Sequence, residues 1–92
     1  MDNARRRRIR KVIKALESRK YDWDDIQAEL EDIKADEEEK HDSMPESRWD
    51  SDAYMIQEES IDYLEEAIDS IDPDDEDAAE AVMDILKQID GI

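Results

Sequence analysis

EEKHDSMPESRWD, residues 38–50, is the one stretch at which a long helical pattern stops, turns and starts again. Pro45 disfavours helix at Met44, and the polar residues around it offer backbone donors local alternatives, so the chain reverses here. Sequence on either side is helix-forming. The stretch therefore reads as the bend of an antiparallel helical hairpin, with Ser51 or Asp50 as the cap of the helix that follows.

Working outward, the first arm carries Ile9, Val12, Ile13, Leu16, Trp23, Ile26, Leu30 and Ile33 at heptad spacing, and only Arg19 interrupts the series. The phase survives SRKYDWDD, where Asp22 followed by Asp25 also has the form of a helix start. The pattern predicts one helix over about 4–38, with an irregularity near Tyr21, and a turn over 39–50. In the second arm Tyr54, Ile61, Leu64, Ile68 and Ile71 continue the seam, with Gln57 as a polar member. Asp72 before Pro73 has the form of a cap and a first helical position, yet Ala78, Val82, Ile85 and Ile89 stay in phase with Ile61 and Leu64. The reading is a helix over about 51–71, a kink near Pro73 and a helix over about 74–90 ended by Gly91. Residues 1–92 form one all-α, coiled-coil-like domain. Two helices bury one narrow seam, so dimerisation into a four-helix bundle, or docking on a partner, is expected.

Composition narrows the function. With 92 residues, 47% of them charged, one glycine and no cysteine, the chain suits exposed helices and excludes a disulfide scaffold or a thiolate metal site. It has no apolar run long enough for a membrane span and no signal-peptide pattern, which places it in the cytoplasm. The net charge of −17 is unevenly spread. Residues 1–20 hold nine basic and two acidic residues, a charge of +7, and residues 21–92 hold four basic and 28 acidic, a charge of −24. The basic arm Arg5, Arg6, Arg7, Arg8, Arg10 and Lys11 has two readings. In one it lies beside the chain's own acids and fixes helix register; in the other it binds phosphates, against the field of the acidic body.

The segment EEEKHDSMPESRWDSDAYMIQEESIDYLEEAIDSI, with the basic start NARRRRIRKVIKALE, resembles a group of short uncharacterised proteins encoded in bacteriophages and prophages. The likeness covers most of residues 3–71, and the string MPES is its most specific part. Trp49 and IDPDDED depart from the group's plain helix. The resemblance implies a phage context, a bacterial host cytoplasm and a helical hairpin, and it carries no activity or functional residues.

Catalytic chemistry finds no support in the residues. His41 is the single histidine, no cysteine accompanies it, and no cofactor motif is present. Glu38 and His41 have the E-x-x-H spacing of bundle metal sites but fall at a helix end outside the seam. DPDDEDAAEAVM has Asp77 where a calcium loop needs glycine and Met83 where it needs glutamate, so it is no EF-hand. The reading is a non-enzymatic interaction protein without metal or cofactor. Trp49, Ile56 and Tyr63, spaced by seven, form a second stripe with Met55 beside it and Glu58, Glu59, Asp62 and Glu66 around it. Aromatic anchors ringed by charge have the composition of a binding patch, for a partner or for a second copy. Outward-facing acids, among them Glu31, Asp32, Asp36, Glu37, Glu38, Glu39, Glu65, Asp69, Asp72, Asp74 and Asp75, approach the charge density of DNA. The expected function is inhibition of a host nucleic-acid-binding or defence protein, such as a CRISPR effector, by a DNA mimic that fills its basic groove. The alternative is a self-assembling coiled-coil scaffold that docks through its basic arm. Direct nucleic-acid binding is disfavoured.

Overall fold

Ile9, Val12, Ile13 and Leu16 share one face of a helix and are all buried, which sets α1 over Asn3–Ser18. In this computed structural model, which describes residues 3–91, α1 stops there, because Arg19 adopts a left-handed conformation (φ 60°). The chain turns over residues 19–22. Asp22 is extended and its carboxylate accepts from the Asp24 amide at 2.9 Å, capping α2 over Trp23–Asp42. Asp24 and Asp25 in its first turn complement the positive end of the helix. The single helix expected over 4–38 is thus two helices. The start signal at Asp22 prevails over the heptad phase, which Arg19 alone interrupts, since seven-residue phase records which face is apolar and is preserved across a four-residue turn.

α2 runs to Asp42, four residues past the expected end at residue 38. Pro45 then leads into a single 3₁₀ turn at Glu46–Arg48, and the Ser51 hydroxyl accepts from the Tyr54 amide to start α3 over Asp52–Asp69. The kink expected near Pro73 is instead a loop over residues 70–77, and α4 spans Ala78–Asp90 rather than starting at 74. Asp72 accepts from the Asp74 amide and Asp75 from the Asp77 amide, so each aspartate closes a local turn in competition with helix.

Each helix runs antiparallel to its neighbours. Arg5 meets Glu37 and Arg8 meets Glu29 across α1 and α2; His41 meets Gln57 across α2 and α3; Arg10 meets Asp90 and Glu17 faces Lys87 across α1 and α4. The main packing pairs are α1 with α2, α2 with α3, α3 with α4 and α1 with α4, so α1 and α3 stand at opposite corners. The four-helix arrangement expected of two associated hairpins is made by one chain. Its core joins Ile9, Val12, Ile13, Leu16, Ile26, Leu30, Ile33, Leu64, Val82, Ile85, Leu86 and Ile89. On α3 the buried line is Gln57, Ser60, Leu64 and Ala67, displaced from the expected Tyr54, Ile61 and Ile68, which are only half-buried. A helix enclosed by neighbours on two sides buries the bisector of its two contacts, and that bisector falls on Gln57, Ser60, Leu64 and Ala67.

The molecule measures 44 × 18 × 17 Å, longer than the roughly 30 Å of its 20-residue α2. Since Arg5 of α1 is already level with Glu37, and Asp90 of α4 with Arg6 and Arg10, the end of α2 and the start of α3 stand beyond the other two helices. No residue between Glu37 and Gln57 is buried. This two-helix tip and the outer face of α3 frame the candidate site.

Candidate functional site

The outer face of α3 follows from its helical phase. Glu58, Glu59, Asp62, Glu65, Glu66 and Asp69 are all exposed, and at about 100° per residue they fall within a band roughly 120° wide opposite the buried line. Their span of eleven residues is about 16 Å at about 1.5 Å per residue, or one carboxylate per roughly 3 Å. A strand of B-DNA places one phosphate per roughly 3.4 Å. No lysine or arginine lies between Arg48 and Lys87, so the band has no basic residue of its own. It is continued by Asp72, Asp74, Asp75, Glu76 and Asp77 in the exposed loop. Beside it Glu31 and Glu38 of α2 border a shallow groove shared with Glu65 and Asp69, in which Lys34 reaches Glu38 at 3.5 Å.

At the other end of the band stand the two large apolar side chains that, among the described residues, remain most exposed, Met55 (58%) and Trp49 (48%). Met55 falls inside the acidic band by helical phase, between the bearings of Asp62 and Glu66. Trp49 closes the 3₁₀ turn, its indole N–H donating to the Met44 carbonyl at 3.2 Å. Its ring stacks on Tyr54 (6.2 Å between centroids), and Tyr54 stacks in turn on His41 (4.1 Å). His41 Nδ1 lies 3.1 Å from Gln57 Oε1 and Nε2 lies 3.7 Å from Glu58. Desolvation among these rings, then the charge of Glu58, raises the Tyr54 phenol above its ordinary value, with Asp42 adding to the effect. His41, expected within the turn over 39–50, is thus half-buried in the last turn of α2. Pairing across the Pro45 reversal, which brings residue 41 toward 54 and 57, is the sequence signal that could have found this ladder.

The expected stripe of Trp49, Ile56 and Tyr63 does not form as one exposed surface. Spacing by seven presumes a helix from residue 49, whereas α3 begins at Asp52. Ile56 and Tyr63 lie half-buried along the edge of the core face, with Tyr63 packed against the core cluster. Glu58, Glu59, Asp62 and Glu66 do lie on one face together with Met55.

The acidic surface of α2 is thinner than the sequence suggests. Glu37 is fully buried and bound by Arg5 at 2.6 Å, with the Arg5 side chain 12% exposed. Arg8 holds Glu29, Asp32 and Asp36 together, and the hydrogen bond to Glu29, with those to Asp32 and Asp36, raises its pKa further above the ordinary arginine value. Arg6 donates to the Asp90 carbonyl and Arg10 to the Asp90 carboxylate. Four members of the basic arm are therefore engaged with the chain's own acceptors, while Arg7 and Lys11 remain exposed. No helix among the described residues is long and apolar enough to cross a membrane.

No protein-family model matches the chain, and no curated protein or solved structure is significantly similar to it.

Proposed function

We propose that this is a non-enzymatic binding protein whose α3 face occupies the basic nucleic-acid groove of a protein partner in place of DNA. The observation that carries the reading is the run of carboxylates from Glu58 to Asp69, one per roughly 3 Å along a rigid helix with no base among them. Long-range attraction to a phosphate-binding groove would give fast association that falls with salt. Met55 and Trp49, at the end of the same band, would supply the short-range contact that charge alone lacks. In the phage setting implied by the MPES resemblance, the partner would be a defence or DNA-handling protein in the bacterial cytoplasm, a CRISPR effector among them. The scaffold reading draws less support, because Arg5, Arg6, Arg8 and Arg10 hold groups of their own chain and do not form a free docking arm.

The test is competition for a labelled DNA duplex bound to purified host nucleic-acid-binding proteins and CRISPR effectors. Displacement should weaken steeply as salt rises, and reversing Glu58, Glu59, Asp62 and Glu66 to lysine should abolish it. Undiminished displacement by that variant would refute mimicry.

A further inference from the structure

A second surface lies on the side of the bundle away from α3, and its case is independent of the mimicry proposal. α1 ends at Ser18 and Arg19 turns the chain away, while α4 enters beside it with the small residues Ala78 and Ala79. The space left between the two helices is a groove of about 790 Å³. Its apolar floor is Leu16, Tyr21, Ala79 and Met83; Leu16 is 1% exposed, and the other three pack partly buried against the core.

The charge along its edges is lopsided. Glu17, Glu76, Asp77, Glu80 and Asp84 line it against Arg19 and Lys87, and Lys87 stands 3.9 Å from Glu17 across the two helices. Glu76 and Asp77 at its mouth end the acidic loop that continues the α3 band. A cleft between two antiparallel helices suits a third helix laid along it, its apolar side down and its polar side meeting the rim. The geometry points to this groove as the docking site for a basic amphipathic helix of a partner protein. Leucine-like side chains would sit on Tyr21, Ala79 and Met83, and lysine or arginine would meet Glu80 and Asp84.

The molecule carries its own reporter. Trp23 packs edge-on against Tyr21, with ring centroids 5.0 Å apart. In a Trp49→Phe variant it is the sole tryptophan. The probe is a synthetic helix-forming peptide with leucines along one face and lysines elsewhere, titrated while Trp23 fluorescence is followed. Saturable binding is expected, and a scrambled peptide of equal composition should bind at least about tenfold more weakly. Met83→Glu separates groove from charge. It adds a negative charge, so attraction by charge alone would tighten binding, whereas seating in the groove predicts an affinity loss of about tenfold. Met83→Gln, which changes no charge, should weaken binding in the same direction, and circular dichroism would check that both variants fold. At about 0.15 M salt, where screening limits the reach of distant charges to about 8 Å, lysine at Glu58, Glu59, Asp62 and Glu66 should weaken peptide binding less than Met83→Glu does. The proposal is overturned if Met83→Glu binds as well or better, if the scrambled peptide is equivalent, or if the α3 reversal abolishes binding. A concentration-dependent Trp23 change without peptide, lost in Met83→Glu, would also overturn it by showing that a second copy fills the groove. Because the α3 reversal tests mimicry and Met83→Glu tests the groove, either reading can fail alone.

Discussion

Arg19 holds the backbone conformation on which the chain path turns, and its left-handed φ of 60° costs a residue with a Cβ about 1 kcal/mol or more. Glycine bears no such cost, so Arg19→Gly should raise the urea midpoint, by up to about 1 kcal/mol of stability. In a continuous helix the same change would destabilise by about 1 kcal/mol, so its sign discriminates between the two paths. Ser60 gives a second local test. It is fully buried and its hydroxyl has no hydrogen-bond partner among the described residues. Removing an unsatisfied buried hydroxyl recovers desolvation free energy, and Ser60→Ala should stabilise the protein by about 1 kcal/mol in chemical denaturation. Destabilisation would mean that the hydroxyl is satisfied. The interruption of the heptad at Arg19 was visible in the sequence, but its left-handed conformation was not, since arginine has no preference for φ > 0; the burial of Ser60 was not legible either, because serine at the centre of α3 breaks the apolar pattern.

The pairing of α1 with α2 depends on polar contacts as well as apolar ones. Arg5 and Glu37 form a buried ion pair at the end of the bundle, and removing one member of such a pair typically costs about 3–5 kcal/mol. Arg5→Met should therefore cost about 3 kcal/mol, the low end of that range, since Arg5 is 12% exposed. The double variant Arg5→Met/Glu37→Leu should recover most of that loss, because it removes both charges. Equal losses in the single and double variants, read from urea unfolding, would show that the pair is uncoupled. The same pairing explains why the basic arm looked available in the sequence. Residues 5 and 37 are far apart along the chain, and only the turn at residues 19–22 makes them neighbours.

Taken together, the net charge of −17 sets the molecule against itself. Ion pairs such as those of Arg8 relieve it near α1 and α2, but the α3 face and the loop over residues 70–77 have no basic residues. Screening should thus favour the folded state. Raising salt from a few millimolar to about 0.15 M, where the Debye length is about 8 Å, should raise the thermal midpoint. A falling midpoint would indicate that attractive pairs outweigh the repulsion. The same screening weakens capture of a basic partner, so stability and binding should respond to salt in opposite directions.

Sequence alone determined the all-α character, because heptad spacing marks the apolar face of each helix, and Ile9, Leu16, Leu30, Leu64, Val82 and Ile89 are buried as that spacing requires. The basic start, the acidic body, the reversal at Pro45 and a cap at Ser51 or Asp50, which the structure assigns to Ser51, were also marked, being local in composition or in turn chemistry. Tertiary structure decided where the arms fold back. A seven-residue phase is the same for a straight helix and for two helices joined by a short turn, so Leu16 and Trp23 fit either path. The choice rests on how much apolar surface the whole chain can enclose, and four antiparallel helices enclose far more than one two-helix seam. That closure also placed Glu37 in the core, shared Arg8 among three carboxylates and left the α3 band and the α1/α4 groove on separate sides of the molecule.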